Sequence, residues 1–108
     1  MNWTIIESAE QLDNIKKQAG NSIIFKHSTR CSISMMAKKR FELEWDLLPE
    51  NINLYFLDLI KYRDLSNKVA TDYQIHHESP QLLLIKNGDC ILDQSHGDIS
   101  VEETVSVI

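Results

Sequence analysis

Ile23-Ile24-Phe25-Lys26-His27-Ser28-Thr29-Arg30-Cys31-Ser32-Ile33-Ser34 is the stretch on which the reading of this chain turns. Its first part is apolar and partly β-branched, so Ser22 to Lys26 reads as a central strand buried on both faces. After Ser28-Thr29-Arg30 the pattern changes. Ile33, Met36, Ala37, Phe41, Trp45 and Leu48 recur at helical spacing, which predicts a helix from about Cys31 or Ser32 that ends before Pro49. Lys38, Lys39, Glu42 and Asp46 fill much of the remainder, and Met35-Met36 reads as core packing. A thiol therefore stands at a strand-to-helix junction. Unpaired helix N–H groups and the positive end of the helix dipole stabilise a thiolate there. Three residues further on stands Ser34 rather than a second cysteine, which points to mixed disulfides with a small thiol instead of disulfides made within one protein.

The flanking sequence supplies the other elements. Trp3 to Ile6 reads as a short first strand. Ser8-Ala9-Glu10-Gln11 matches a capping box, Leu12, Ile15 and Ala19 share one helical face, and Gly20 is placed to close that helix in a left-handed cap. Asn53 to Asp58 reads as a third strand, and Asp64 to Tyr73 as a helix with Leu65 and Val69 inward. Leu82 to Ile85 reads as a fourth strand, buried on both faces. Asn87-Gly88 is a two-residue hairpin turn, since both residues tolerate positive φ, and Cys90-Ile91-Leu92 continues into an antiparallel partner. Gly97 ends that strand. Ser100-Val101-Glu102-Glu103 is a second capping box, before a last helix with Val101, Thr104, Val105 and Ile108 inward. The order is βαβαβαββα, and alternating helices and strands imply parallel pairing with one antiparallel addition.

Bulk properties narrow the class. The chain has 108 residues, 43% apolar and 25% charged, which suits one soluble globular domain over residues 1–108. A net charge of −5 argues against a nucleic-acid partner, which usually meets a basic field. No apolar run is long enough to span a bilayer, and Met1-Asn2-Trp3 opens no export signal, so no membrane partner and a cytoplasmic location are expected. A permanent disulfide between Cys31 and Cys90 is disfavoured in that compartment. Neither the two cysteines nor His27, His76, His77 and His96 have zinc-site spacing, so no metal is expected.

The element order, with a reactive-type cysteine after the second strand, resembles the thioredoxin fold: an α/β architecture with a central mixed sheet flanked by helices. Tyr73-Gln74-Ile75-His76-His77-Glu78-Ser79-Pro80 precedes the fourth strand, where thioredoxin-like proteins carry a cis-proline loop facing the active site. Phe25 to Ser34, taken with His77-Glu78-Ser79-Pro80-Gln81, looks more narrowly like the YtxJ-like monothiol bacilliredoxins, over almost the whole chain. One departure is Ser32, where relatives often carry proline, which pre-organises a first helical turn.

That resemblance implies an oxidoreductase that removes bacillithiol, a cysteinyl-glucosaminyl-malate thiol, from S-thiolated proteins. No cofactor is bound. Bacillithiol or another low-molecular-weight thiol is the co-substrate, and a reducing redoxin is a further candidate for regeneration. Cys31 would be the nucleophile, and Ser79 and Pro80 the platform for the substrate backbone. Around them, Ser34 has two readings: a donor to the thiolate through its hydroxyl or N–H, or an ordinary helix-start serine. Arg30 is either a cation that favours the thiolate and meets small-thiol carboxylates or a solvated loop residue. His27 is a structural histidine or an electrostatic tuner. Cys90 reads as a small buried hydrophobe; a resolving role needs its Cα within about 7 Å of that of Cys31. Two other functions compete: a non-catalytic thioredoxin-like module that only binds proteins, and iron–sulfur handling, against which the absence of a C-G-F-S motif counts.

Overall fold

The computed structural model describes residues 1–108. Five strands and four helices alternate: β1 Thr4–Ile5, α1 Ala9–Lys17, β2 Asn21–His27, α2 Ser32–Glu44, β3 Asn53–Asp58, α3 Arg63–Tyr73, β4 Gln81–Lys86, β5 Asp89–Ser95 and α4 Val101–Ser106. The strands form one mixed sheet in the order β1-β3-β2-β4-β5. β1, β3 and β2 run parallel, and β4 and β5 are antiparallel additions. The element order is the expected βαβαβαββα, with β2 at the centre of the sheet; the pairing differs in that β4 as well as β5 joins antiparallel to its neighbour, where the sequence implies one antiparallel addition.

β2 is central because it is apolar on both sides. Ile23 and Phe25 face α2 and α4, where they pack with Ala37, Phe41, Leu82, Leu84 and Val101. Ile24 faces α1 and α3, with Leu12, Ile15, Leu57, Val69 and Leu83. Each helix thus buries one stripe against one face of the sheet. On the α2 side Trp3 joins an aromatic group with Phe25, Phe41, Trp45 and Phe56, at centroid separations of 5.5–6.0 Å. Its indole N–H donates to Glu42 at 2.8 Å.

Local signals were honoured unevenly. The Ser8–Gln11 capping box forms in full. At the second box Ser100 accepts from the Glu103 N–H, but the Glu103 carboxylate takes the Gln94 amide instead of closing the box. Asn87 and Gly88 both adopt positive φ, at 51° and 86°, as the hairpin requires. Gly20 also has positive φ but is not the cap: α1 ends at Lys17 and Gln18 leaves it in extended conformation. Ala19 is accordingly exposed and outside the helix. The Asn87 side chain accepts from the Gly20 N–H at 2.7 Å, so Gly20 belongs to the joint between α1 and the hairpin.

The larger correction concerns α2. Its buried residues are Ser34, Ala37 and Phe41. Ile33 is 56% exposed, Met35 56% and Met36 68%, so these three do not pack in the core. The stripe is rotated because a polar residue, Ser34, has its own buried partners beneath the helix.

Candidate active site

The site lies at one end of the sheet, where the parallel strands β2 and β3 finish and β4 begins. His27 pairs with Asp58 across β3, and Lys26 with Gln81 across β4. Two loops therefore emerge side by side: Ser28 to Cys31 after β2, and the segment through Ser79-Pro80 before β4. The Ser79–Pro80 peptide is cis, as the resemblance implied.

Cys31 is the N-cap residue of α2, with extended backbone at φ −105° and ψ 120°. Its N–H donates to Ser28 C=O at 3.2 Å, closing the Ser28–Cys31 turn, and its C=O accepts from Met35 at 3.0 Å. No side chain caps this helix, so the first N–H groups of α2 keep no side-chain acceptor. The cysteine is free and half-buried. Arg30 beside it is exposed. Pro80 is buried and Ser79 half-buried. The Pro80 C=O is taken by His96 N–H at 3.1 Å, whereas neither polar group of the Ser79 peptide unit has a backbone partner.

Ser34 and His27 form the floor under this loop. Ser34 is fully buried, so its hydroxyl must find partners inside the protein. It accepts from Ser28 N–H at 3.0 Å and lies 2.7 Å from His27 Nδ1. The hydroxyl is therefore committed to the β2–α2 loop and not to the Cys31 sulfur; it fixes the turn that carries the cysteine. With its oxygen accepting from Ser28, the hydroxyl proton points to Nδ1. Burial, and secondarily the charge of Lys38, push the His27 pKa below its ordinary value, against the opposing pull of Asp58 and Ser34. The ring is neutral at pH 7.

The second cysteine belongs to the other end of the sheet. Cys90 pairs with Ile85, which pairs with Ser22. From Ser22 to His27 is five residues of strand, about 16 Å, and Cys31 lies beyond that, so no disulfide joins the two. Cys90 is half-buried rather than buried. Burial, helped by Asp93, pushes its thiol up to about 11, and its S–H contacts Leu92 C=O at 3.4 Å.

Two groupings escaped the sequence. Lys26, fully buried, donates to Ser66 C=O at 3.3 Å and contacts His77 Nδ1 at 3.2 Å; Ser66 Oγ lies 3.2 Å from the same nitrogen. Burial pushes the Lys26 pKa down to about 8. A lysine in an apolar strand was the available signal, but its partners sit 40 and 51 residues away. The second grouping is a cavity of about 580 Å³ between α2 and β3, lined by His27, Thr29, Met35, Lys38, Lys39, Glu42 and Phe56. No three His, Cys, Asp or Glu side chains are grouped to hold a metal ion, and no helix is long and apolar enough to cross a membrane.

The sequence model of the monothiol bacilliredoxin BrxC family matches residues 4–104. The chain belongs to that family. Among solved structures, a putative oxidoreductase with a thioredoxin fold is 28% identical, with a TM-score of 0.82 over 94% of this chain and 89% of the other. A thioredoxin of Malassezia sympodialis is 19% identical, with a TM-score of 0.79 over 98% and 90%. Mitochondrial thioredoxin 3 of Saccharomyces cerevisiae is 16% identical, with a TM-score of 0.76 over 98% and 95%. The last two share the fold alone. Family and fold together make this bacilliredoxin-family protein a thioredoxin-like thiol oxidoreductase.

Proposed function

We propose that this protein reduces mixed disulfides between proteins and a low-molecular-weight thiol, bacillithiol by family, with Cys31 as the only reacting cysteine. The observation that carries this reading is the pairing of a half-buried thiol at the head of α2 with the Ser79–Pro80 loop, while Cys90 stands at the far end of the sheet. Free N–H groups and the dipole at a helix head favour negative charge on such a sulfur.

In the first step the Cys31 thiolate attacks the small-thiol sulfur of the mixed disulfide. The S–S bond to the protein cysteine breaks, the protein leaves as a thiolate and is thereby reduced, and Cys31 is oxidised to a mixed disulfide with the small thiol. In the second step a small-molecule thiolate, or the thiolate of a reducing redoxin, attacks that adduct. Cys31 returns as thiolate, and the electrons have passed from the incoming thiol to the original protein. The Ser79 peptide, with N–H and C=O free, suits pairing with an extended substrate backbone. Ser34 and His27 act beneath the loop as positioning residues. Arg30, exposed and adjacent, offers a cation to the approaching disulfide. The chemistry suits a compartment that keeps thiols reduced, such as the cytosol.

The test is to incubate a bacillithiolated protein with the enzyme and follow loss of the adduct by mass spectrometry. Wild type is expected to clear the adduct and Cys31→Ala to leave it at the uncatalysed rate. Equal slow rates for both would sink the catalytic reading. Partner complexes that persist in Cys31→Ala, without adduct loss by wild type, would replace it with a binding module.

A further inference from the structure

The cavity between α2 and β3 has features that ordinary surface hollows lack. His27 on its wall is 5% exposed, and its one hydrogen bond is made by Nδ1. The ring lines the cavity, and Nε2 forms no hydrogen bond within the protein. A nearly buried imidazole thus lines the space with one ring nitrogen free of any partner in the protein. Around it stand the Thr29 hydroxyl and the ammonium groups of Lys38 and Lys39. Lys38 is held by Glu42 at 2.9 Å, which also takes the Trp3 N–H; the other carboxylate acting on His27, Asp58, accepts from the Ile60 and Lys61 N–H groups. Lys39 forms no ion pair. Met35 and Phe56 give the cavity apolar walls.

Donors and cations in excess, with apolar walls, fit an acceptor-rich anion of small size. The volume suits a small molecule, since such sites run from roughly 300 to 1,000 Å³. Position fits as well. Met35 lies one turn along α2 from Cys31, and Lys38 and Lys39 lie seven and eight residues along, about 10–12 Å by helical rise. The sheet order then divides the site: β3 lies on one side of β2 and β4, with Ser79-Pro80 before it, on the other.

We propose that this cavity is the subsite for the small-thiol half of the mixed disulfide, holding its carboxylate-bearing end against Lys39, Lys38 and the His27 ring. The protein half is then left to the Ser79–Pro80 side. This rests on the dethiolation reading above and adds which surface recognises the small thiol and by what chemistry.

The experiment measures formation of the Cys31 adduct by intact mass, as Cys31 thiolate displaces one thiolate from a symmetrical disulfide. The probes are bacillithiol disulfide, glutathione disulfide, coenzyme A disulfide and the neutral bis(2-hydroxyethyl) disulfide. Lys39→Glu is expected to lower the ratio of the bacillithiol rate to the neutral rate by about fivefold, the upper range for one exposed ion pair, and Lys86→Glu at the opposite end of the sheet to leave it unchanged. In the bacillithiol adduct of wild type, the His27 Nε2 resonance should shift, and in the hydroxyethyl adduct it should not. A loss of equal size for charged and neutral probes, or in Lys86→Glu, would overturn the subsite. A Lys39 dependence greatest with coenzyme A disulfide would overturn the carboxylate in favour of phosphate, and one greatest with glutathione would keep the carboxylate but replace bacillithiol. If even the neutral disulfide reacts no faster than with an unfolded cysteine, the dethiolation reading itself fails. A normal neutral rate without charge dependence fails the subsite alone.

Discussion

The two ends of the central sheet each carry one cysteine, and they are built on different principles. At the hairpin end the structure is closed by backbone geometry: Asn87 and Gly88 at positive φ, the Asn87 side chain on Gly20 N–H, and Lys16 Nζ on Gly88 C=O at 3.1 Å. Cys90 sits there on β5 with its thiol raised to about 11 by burial. At the other end two loops meet, and they are held by side chains: Ser34 to Ser28 and His27, and Lys26 to His77 and Ser66. Cys31 stands on that polar floor at the open head of a helix. The difference teaches that reactivity here is a matter of placement. On the function proposed above, the same residue goes unused where burial raises its thiol and serves where loops leave helix N–H groups unpaired.

The sharpest way to break this comparison is to exchange the roles of the cysteines. Cys31→Ala should abolish dethiolation completely, and Cys90→Ala should keep the wild-type rate. Alkylation by iodoacetamide at pH 8 should mark Cys31 first. Cys90 should lag an ordinary free thiol by about a hundredfold, as a thiolate population shifted by two pH units requires. Loss of dethiolation in Cys90→Ala would mean that the two ends communicate.

Next in size is the hairpin itself. A Cβ at Gly88 would run into the Lys16 carbonyl, and φ is positive there. Gly88→Ala combines a left-handed alanine with overpacking, and should cost about 2–4 kcal/mol, read as a lower urea midpoint with unchanged slope. The folded fraction should still react normally at Cys31. Ser34→Ala is the matching probe of the other end. It strips Ser28 N–H and His27 Nδ1 of their buried partner, for about 1–3 kcal/mol, and should also slow dethiolation because the turn carrying Cys31 loosens. A Ser34→Ala protein as stable and as active as wild type would show that the floor does not hold the loop.

The contrast also explains what the sequence made legible. The hairpin end is local: Asn87-Gly88, the strand runs beside it and the Ser8–Gln11 box declare themselves within a few residues. The element order followed from the same short-range patterns. So did the place of Cys31, because a strand-to-helix junction is a local event. What stayed hidden is long-range or rotational. Six apolar positions at helical spacing on α2 defined a stripe, but Ser34 turned inward to satisfy Ser28 and His27, and the helix rotated Ile33 and Met36 to solvent. Lys26 gave no hint of His77, and Lys38 none of Phe56, since those pairs form only when the helices are stacked on β2 and β3. Gly20 looked like a helix cap because glycine after an amphipathic run usually is one; its partner, Asn87, is 67 residues away.

The smallest effect is on the pH dependence of stability, and it separates the ends by sign. At the site end, burial lowers the pKa of His27, with Lys38 adding to it, and of His77, with Lys26 and Arg63 adding to it, while Asp58 and Ser34 oppose the first shift and Glu78 the second. The unfolded chain takes up these protons near 6.5 and the folded protein resists them. Stability present above pH 6.5 should therefore decline as pH falls toward 5, above the range where carboxylates such as Glu42 contribute. At the hairpin end the thiol of Cys90 and the phenol of Tyr73 are raised, from 9.0 to about 11 and from 10.0 to about 12, in both cases mainly by burial. The unfolded chain ionises first, so stability should fall as pH rises above 9. Lys26 works against that fall, since its folded pKa of about 8 lies below 10.5 and the unfolded chain holds the extra proton between those values. Cys90→Ala isolates the hairpin term: urea midpoints should drop less between pH 9 and 11 than in wild type, and the acid limb should be unmoved. His77→Gln should do the reverse, flattening the acid limb and sparing the alkaline one. If both variants move both limbs, the two ends titrate as one unit and the division between a sealed and an open end does not extend to their electrostatics.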